Sequence, residues 1–209
     1  MNRLLSMIFV GVFAAFTVIS VAQDAPRKVF RGYSGGMMLH AGYLFGGNAD
    51  APCKPQGATY GIGGALRVNL LEHLRIGGEG YVSTMPSSFT DCHDVLRKGS
   101  YVRNGWGGFL VDAYWRFDKA WPYVGATIGG GAVRSLFLLD GHQDDWQPET
   151  AALLNKQSYF CVAPFVGCDY LLTPRVHLTF KLDWVIAVHG NHLVAPTGPR
   201  FYFGFLFCH

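Results

Sequence analysis

The chain has 209 residues, half of them hydrophobic and only 15% charged, whereas ordinary soluble domains carry about 25% charged residues. Its 27 glycines are well above the usual share of about 7%. The length suits one domain with a sizeable core. The low charge, with many aromatics and glycines, suggests a membrane β-protein better than a soluble enzyme, and a net charge of +3 is too small to suggest nucleic acid as a partner.

Met1-Asn2-Arg3 is a short positive start, and Leu4 to Val21 is nearly all apolar. Ser20-Val21-Ala22 places small residues where a signal peptidase reads. Residues 1–22 therefore read as a signal peptide cleaved before Gln23, rather than an anchor, because no positive stop-transfer cluster follows. No cysteine lies near the cut, so a lipoprotein is not expected. The domain then begins at Gln23 in an oxidising, extracytoplasmic space. No later stretch reaches 18 apolar residues, so no transmembrane helix is expected after it.

Alternation follows, with apolar residues on every second position, the period of a strand. Strand 1 is predicted from Gly36 to Phe45, with Met37, Leu39, Ala41, Tyr43 and Phe45 on one face. Strand 2 carries Tyr60, Ile62, Gly64, Leu66, Val68 and Leu70; strand 3 carries Leu74, Ile76, Gly78, Gly80 and Val82. Strand 4 ends near Phe117, with Phe109, Val111, Ala113, Trp115 and Phe117 opposite Asp112, Tyr114 and Arg116. Strand 5 runs from Tyr123 to Val133 and strand 6 from Tyr159 to Leu171. Strand 7 shows Val176, Leu178, Phe180, Leu182 and Trp184 against His177, Thr179, Lys181 and Asp183. Strand 8 ends the chain, with Phe201, Phe203, Phe205 and Phe207 on one face.

The connections after strands 2, 4 and 6 take about three to five residues, and the others roughly ten to twenty-five; short turns on one side and long loops on the other mark an outer-membrane barrel. A sheet in hydrocarbon must close, because unpaired backbone groups are not tolerated there. The fold expected is all-β: an eight-stranded antiparallel up-and-down transmembrane β-barrel over residues 23–209. Its short turns and both termini lie in the periplasm, and its long loops lie outside. A soluble eight-stranded barrel would also alternate. Its exposed face would carry many lysines and glutamates, whereas the polar face here is rich in Gly, Ala, Ser and Thr.

Two aromatic belts are expected at the membrane interfaces. Trp115, Phe117, Trp121, Tyr170 and Phe207 fall near the periplasmic rim, and Tyr43, Phe45, Tyr60, Phe160, Trp184 and Phe201 near the outer one. The inward charges are Arg67, Arg75, Glu79, Asp112, Arg116, Asp169, Lys181 and Asp183, with Arg200 as a further base. Buried charges are costly unless paired, so near balance implies a network of ion pairs plugging the lumen rather than an ion pathway. Cys53 and Cys92 fall in the first two long loops, where an oxidising compartment allows a bridge; two separate thiols are the other reading. Cys161, Cys168 and Cys208 read as apolar fillers. Ser135-Leu136-Phe137-Leu138-Leu139 extends strand 5 or folds over the barrel mouth, and Ala151-Ala152-Leu153-Leu154 reads as a short helix.

Pro122-Tyr123-Val124-Gly125-Ala126-Thr127-Ile128-Gly129-Gly130-Gly131 resembles a strand of the small outer-membrane β-barrel superfamily that includes the OmpA membrane domain and OmpX. Ala163-Pro164-Phe165-Val166-Gly167-Cys168-Asp169-Tyr170-Leu171-Leu172-Thr173-Pro174 is similar to its sixth strand and turn. The resemblance covers most of residues 23–209. It implies fold, a place in the Gram-negative outer membrane, and insertion by the barrel-assembly machinery, which reads a final aromatic residue. His209 departs from that residue but keeps its parity and a ring. The resemblance implies no catalytic residue, and no wall-anchoring module follows the barrel pattern.

Some small barrels are lipid A-modifying hydrolases with His and Ser near the outer rim. Here His189-Gly190-Asn191-His192 supplies a base, but no serine follows at the spacing that acyl transfer needs. His142, Asp144 and Asp145 could join the histidines as metal ligands, but the spacing is not diagnostic, so no metal or cofactor is expected. The function expected is a non-enzymatic outer-membrane barrel with a structural or surface-interaction role through its loops. A lipid A-modifying hydrolase and a small solute pore are the alternatives. The partners expected are outer-membrane lipid and an extracellular molecule met by the loops.

Overall fold

The computed structural model describes residues 29–45, 56–86, 100–138, 152–190 and 197–209. Eight strands follow in chain order: β1 (Phe30–Leu44), β2 (Gly57–Leu70), β3 (Leu74–Pro86), β4 (Tyr101–Tyr114), β5 (Ala120–Leu138), β6 (Ala152–Thr173), β7 (Val176–Gly190) and β8 (Gly198–Cys208). Each pairs antiparallel with its neighbour in sequence, and β8 pairs with β1 to close the barrel. The proposed signal peptide, Cys53, Cys92, His142, Asp144, Asp145 and His192 lie outside the described residues.

Closure can be followed in the register. From Ala41 one hydrogen-bonded row runs through Tyr60, Thr84, Arg103 and Arg134 to Lys156 on β6. In the other direction it runs through Phe201 and Leu182 to Val166 on the same strand. The ends of that circuit lie ten residues apart on β6. With eight strands, this stagger tilts each strand about 40° from the barrel axis.

The seam between first and last strands is tightly made. Tyr33 N–H donates to the His209 carbonyl, and His209 N–H donates back to Tyr33, both at 2.9 Å. The His209 ring stacks on Tyr33 with centroids 5.2 Å apart. Beside it Gly32 takes φ +118°, a conformation that a side chain disfavours.

The tight turns are 71–73, 115–119 and 174–175. In the second of these, Phe117 and Ala120 exchange both backbone hydrogen bonds. β4 therefore ends at Tyr114, short of the expected Phe117. Elsewhere the strands outrun their expected ends. β5 continues through Ser135 to Leu138, where Leu136 pairs with Leu154 and Leu138 with Ala152. The expected helix at 151–154 is thus corrected for residues 152–154: they are strand, because the β5 edge supplies their hydrogen-bond partners. β7 likewise carries on to Gly190, leaving seven residues, 191–197, before β8.

The outward face carries an apolar band around the whole circumference. Met37, Ile62, Val82, Phe109, Ile128, Val166, Leu182 and Phe205 are all exposed. The inward face holds large side chains against small ones. Tyr81 lies where a Cβ on Gly63 would overlap its ring, and Tyr123 lies likewise over Gly167.

Candidate functional site

The interior is where the charges are, the reverse of a water-soluble barrel. Four bases (Arg67, Arg75, Lys181, Arg200) and four acids (Glu79, Asp112, Asp169, Asp183) are buried inside, among the described residues. They form two layers.

In the layer nearer the tight turns, Arg75 and Asp112 face each other directly across β3 and β4. Arg75 Nε donates to Asp112 Oδ1 and Nη1 to Asp169 Oδ2, each at 2.6 Å. Arg67 Nη1 approaches the same Asp169 oxygen at 3.5 Å. Tyr123 is a shared platform: the Arg67 and Arg75 guanidiniums lie 4.6 and 4.7 Å from its ring centre. Its hydroxyl meets Thr179 Oγ1 at 3.1 Å.

In the layer nearer the long connections, Lys181 Nζ donates to both oxygens of Glu79, at 2.8 and 2.6 Å. Thr127 and Tyr81 hydroxyls donate to the same carboxylate. Asp183 and Arg200 face each other across β7 and β8 in a two-point pair, both contacts 2.9 Å. Lys181 also lies 3.7 Å from Asp183, joining the pairs. Tyr81, Phe165 and Tyr202 present ring faces to Lys181, and Trp106 to Arg200, each cation–π contact adding attraction where water is excluded. His40 Nε2 meets Ser83 Oγ at 2.7 Å.

Seven of the eight residues assigned to the lumen from sequence lie in these layers. The eighth, Arg116, does not. It follows the end of β4, is exposed, and stacks over Tyr114 and Trp121 at the rim. Arg200 brings the buried bases to four. Sequence reasoning gave Tyr81, Tyr114 and Tyr202 the inward parity of Glu79, Asp112 and Arg200 but missed that they and Tyr123 serve as ring platforms for the buried bases.

The belt residues Tyr43, Tyr60, Trp115, Phe160, Tyr170, Trp184, Phe201 and Phe207 are exposed on the outer surface. Trp121 is a correction. It points inward, with its ring 4.9 Å from that of His177, because odd positions of β5 face the lumen. Cys161 is fully buried, and Cys161, Cys168 and Cys208 are free. His189 belongs to β7, but its side chain lies outside the described residues.

The layers close the middle of the barrel. The turn end opens into a cavity of about 650 Å³ lined by Arg31, Arg75, Arg116, Arg175, His177 and Cys208 among others. Toward the other end a pocket of only about 20 Å³ lies above Arg200.

No protein-family model matches this sequence, and no curated protein matches it. Solved structures do. Neisserial surface protein A superposes with a TM-score of 0.53 at 14% identity, over 84% of this chain and 96% of that one. Ail, the attachment invasion locus protein of Yersinia pestis, solved with the heparin analogue sucrose octasulfate, gives 0.50 at 9% identity, over 86% and 99%. The N-terminal β-barrel domain of Pseudomonas aeruginosa OprF gives 0.49 at 12%, over 86% and 100%. These identities speak for fold alone: the chain has the fold of the small eight-stranded outer-membrane β-barrels.

Proposed function

We propose that this chain is a non-enzymatic barrel of the Gram-negative outer membrane whose long connections meet a molecule outside the cell. The observation that carries this reading is the inversion of the barrel, with an apolar wall all round and an interior sealed by paired charges. An apolar outer surface needs lipid around it, and a closed barrel leaves no backbone group unpaired there. A lumen filled by side chains has no room to pass solute, so the connections are what remains to act. The signal peptide directs export and is cleaved before Gln23, and the barrel-assembly machinery then inserts the chain.

Two features support a surface-interaction role over the alternatives. The two interior layers oppose a solute pore, because every buried base in them faces a carboxylate within 4 Å. No serine follows His189 at the spacing of the lipid A hydrolases, Gly190 and Asn191 standing there instead, which opposes that reading. The test is a deletion strain together with extraction of the tagged protein from the outer membrane in mild detergent. The reading expects co-purification of a defined extracellular or envelope partner and an unaltered lipid A mass spectrum. Loss of one acyl chain or substituent from lipid A that depends on this protein would replace it with the hydrolase reading. Steady single-channel conductance of the purified protein would replace it with the pore.

A further inference from the structure

Three bases stand side by side on the outward face near the long connections. Arg103 on β4 pairs in register with Arg134 on β5, which pairs in register with Lys156 on β6. All three are exposed. Residues directly opposite on neighbouring strands hold their Cβ atoms about 4.5–5.5 Å apart, and like charges so placed repel. Three like charges in one row are therefore unfavourable unless an anion lies across them.

The protein supplies no such anion on that face among the described residues. The described carboxylates are Glu79, Asp112, Asp169 and Asp183, which point inward, and Glu72 and Asp118, which sit in the tight turns at the opposite end. Arg103 is already oriented by Tyr101, its guanidinium 4.8 Å from the ring centre.

Height decides what anion the row meets. The register row climbs ten residues per circuit toward the long connections. Each strand step thus raises it by about 3 Å along the axis. Tyr60, an aromatic of the outer belt, lies on this same row. Arg103, Arg134 and Lys156 then stand about 6, 9 and 12 Å above it. Below them on β5 and β6 the outward residues turn apolar, with Ile128 and Val162. Elsewhere around the barrel the belt region carries Tyr43, Phe45, Trp184 and Phe201 instead of bases. Among the described residues the charge is thus confined to one sector, above acyl-chain depth and at headgroup depth.

We propose that Arg103, Arg134 and Lys156 form a binding site for the phosphate groups of a phosphorylated glycolipid of the outer leaflet. Two guanidiniums grip phosphate oxygens at two points each, and the lysine ammonium adds a point charge. The acyl chains lie on the apolar wall beneath. The site rests on the outer-membrane reading, with the long connections facing outward.

The test uses the full chain, folded in detergent micelles and examined by native mass spectrometry. The probes are bis-phosphorylated lipid A, the same lipid stripped of phosphate, and inorganic phosphate as competitor. The expected result is retention of the phosphorylated lipid, at least tenfold weaker for the stripped lipid and for the triple variant Arg103→Gln, Arg134→Gln, Lys156→Gln. Lys156→Arg retains binding. Heat-modifiable electrophoretic mobility verifies that each variant is folded. Equal retention by the triple variant, or of the stripped lipid, overturns the site. Displacement by millimolar inorganic phosphate overturns the lipid as its ligand in favour of free phosphate. Density-gradient fractionation of cells separates the two readings: recovery with the inner membrane overturns the outer-membrane reading, whatever the lipid affinity in micelles.

Discussion

Lys181 on β7 crosses the barrel interior to hold both carboxylate oxygens of Glu79 on β3, at 2.8 and 2.6 Å. The two residues are 102 positions apart in the chain and both are buried. Removing one partner leaves a charge without compensation. Lys181→Met should therefore cost about 3–5 kcal/mol in unfolding titrations from lipid vesicles. The double variant Lys181→Met, Glu79→Leu should recover most of that loss, since an apolar pair of similar volume replaces a buried ion pair at little cost. A double variant as unstable as the single one would mean that the pairing is not what the site needs.

The outward wall gives a depth-dependent expectation. Leu66 is exposed on the outer face of β2, well below the row of Tyr60. Leu66→Arg should cost about 2–4 kcal/mol, the range for a cation at mid-bilayer depth. Leu154 faces outward two positions beyond Lys156 toward the long connections. Leu154→Arg should cost about 0–1 kcal/mol, as near an interface. Equal costs would place the lipid belt elsewhere on the barrel.

Gly63 and Tyr81 share one space. A Cβ on Gly63 would overlap the Tyr81 ring and the Gly80 carbonyl. Gly63→Val should destabilise by about 1–3 kcal/mol through overpacking. Its cost should shrink in a Tyr81→Ala background, and a double-mutant cycle measures that coupling. Strict additivity would show that the backbone contact alone is responsible.

Thiol chemistry should distinguish the three described cysteines. Cys161 is fully buried, whereas Cys208 lines the cavity at the turn end. In single-cysteine variants, a water-soluble maleimide should modify Cys208 in the folded protein and leave Cys161 unmodified until denaturation. Rapid labelling of Cys161 in the folded state would mean that water reaches the central layer.

The purified barrel should show no steady conductance in planar bilayers. Both layers of paired charge would have to part before ions could pass. A stable open level in the unmodified protein would contradict the sealed interior.

Much of the fold was legible because a strand exposes its two faces to two different media. The period-two alternation identified all eight strands, their order and their outward faces, and parity alone placed Arg67, Arg75, Glu79, Asp112, Asp169, Lys181 and Asp183 inside. Parity is a local property and needs no partner. It failed where a strand stopped. Arg116 has the parity of Asp112 and Tyr114, but the Phe117–Ala120 turn ends β4 first, so its side chain reaches the rim. Trp121 was assigned to an aromatic belt by residue type, although its odd position on β5 already pointed inward. Residues 152–154 read as a short helix from sequence, but the continuation of β5 beside them makes them strand.

Alternation, composition and the spacing of turns thus determined by themselves that this is a closed antiparallel barrel with apolar outside and charge inside. Only the tertiary structure decided who meets whom. The stagger of ten residues around the circuit places Lys181 opposite Glu79 and lines up Arg103, Arg134 and Lys156 in a single row. That stagger is a property of closure, since every strand must satisfy two neighbours at once, and no single stretch of sequence encodes it.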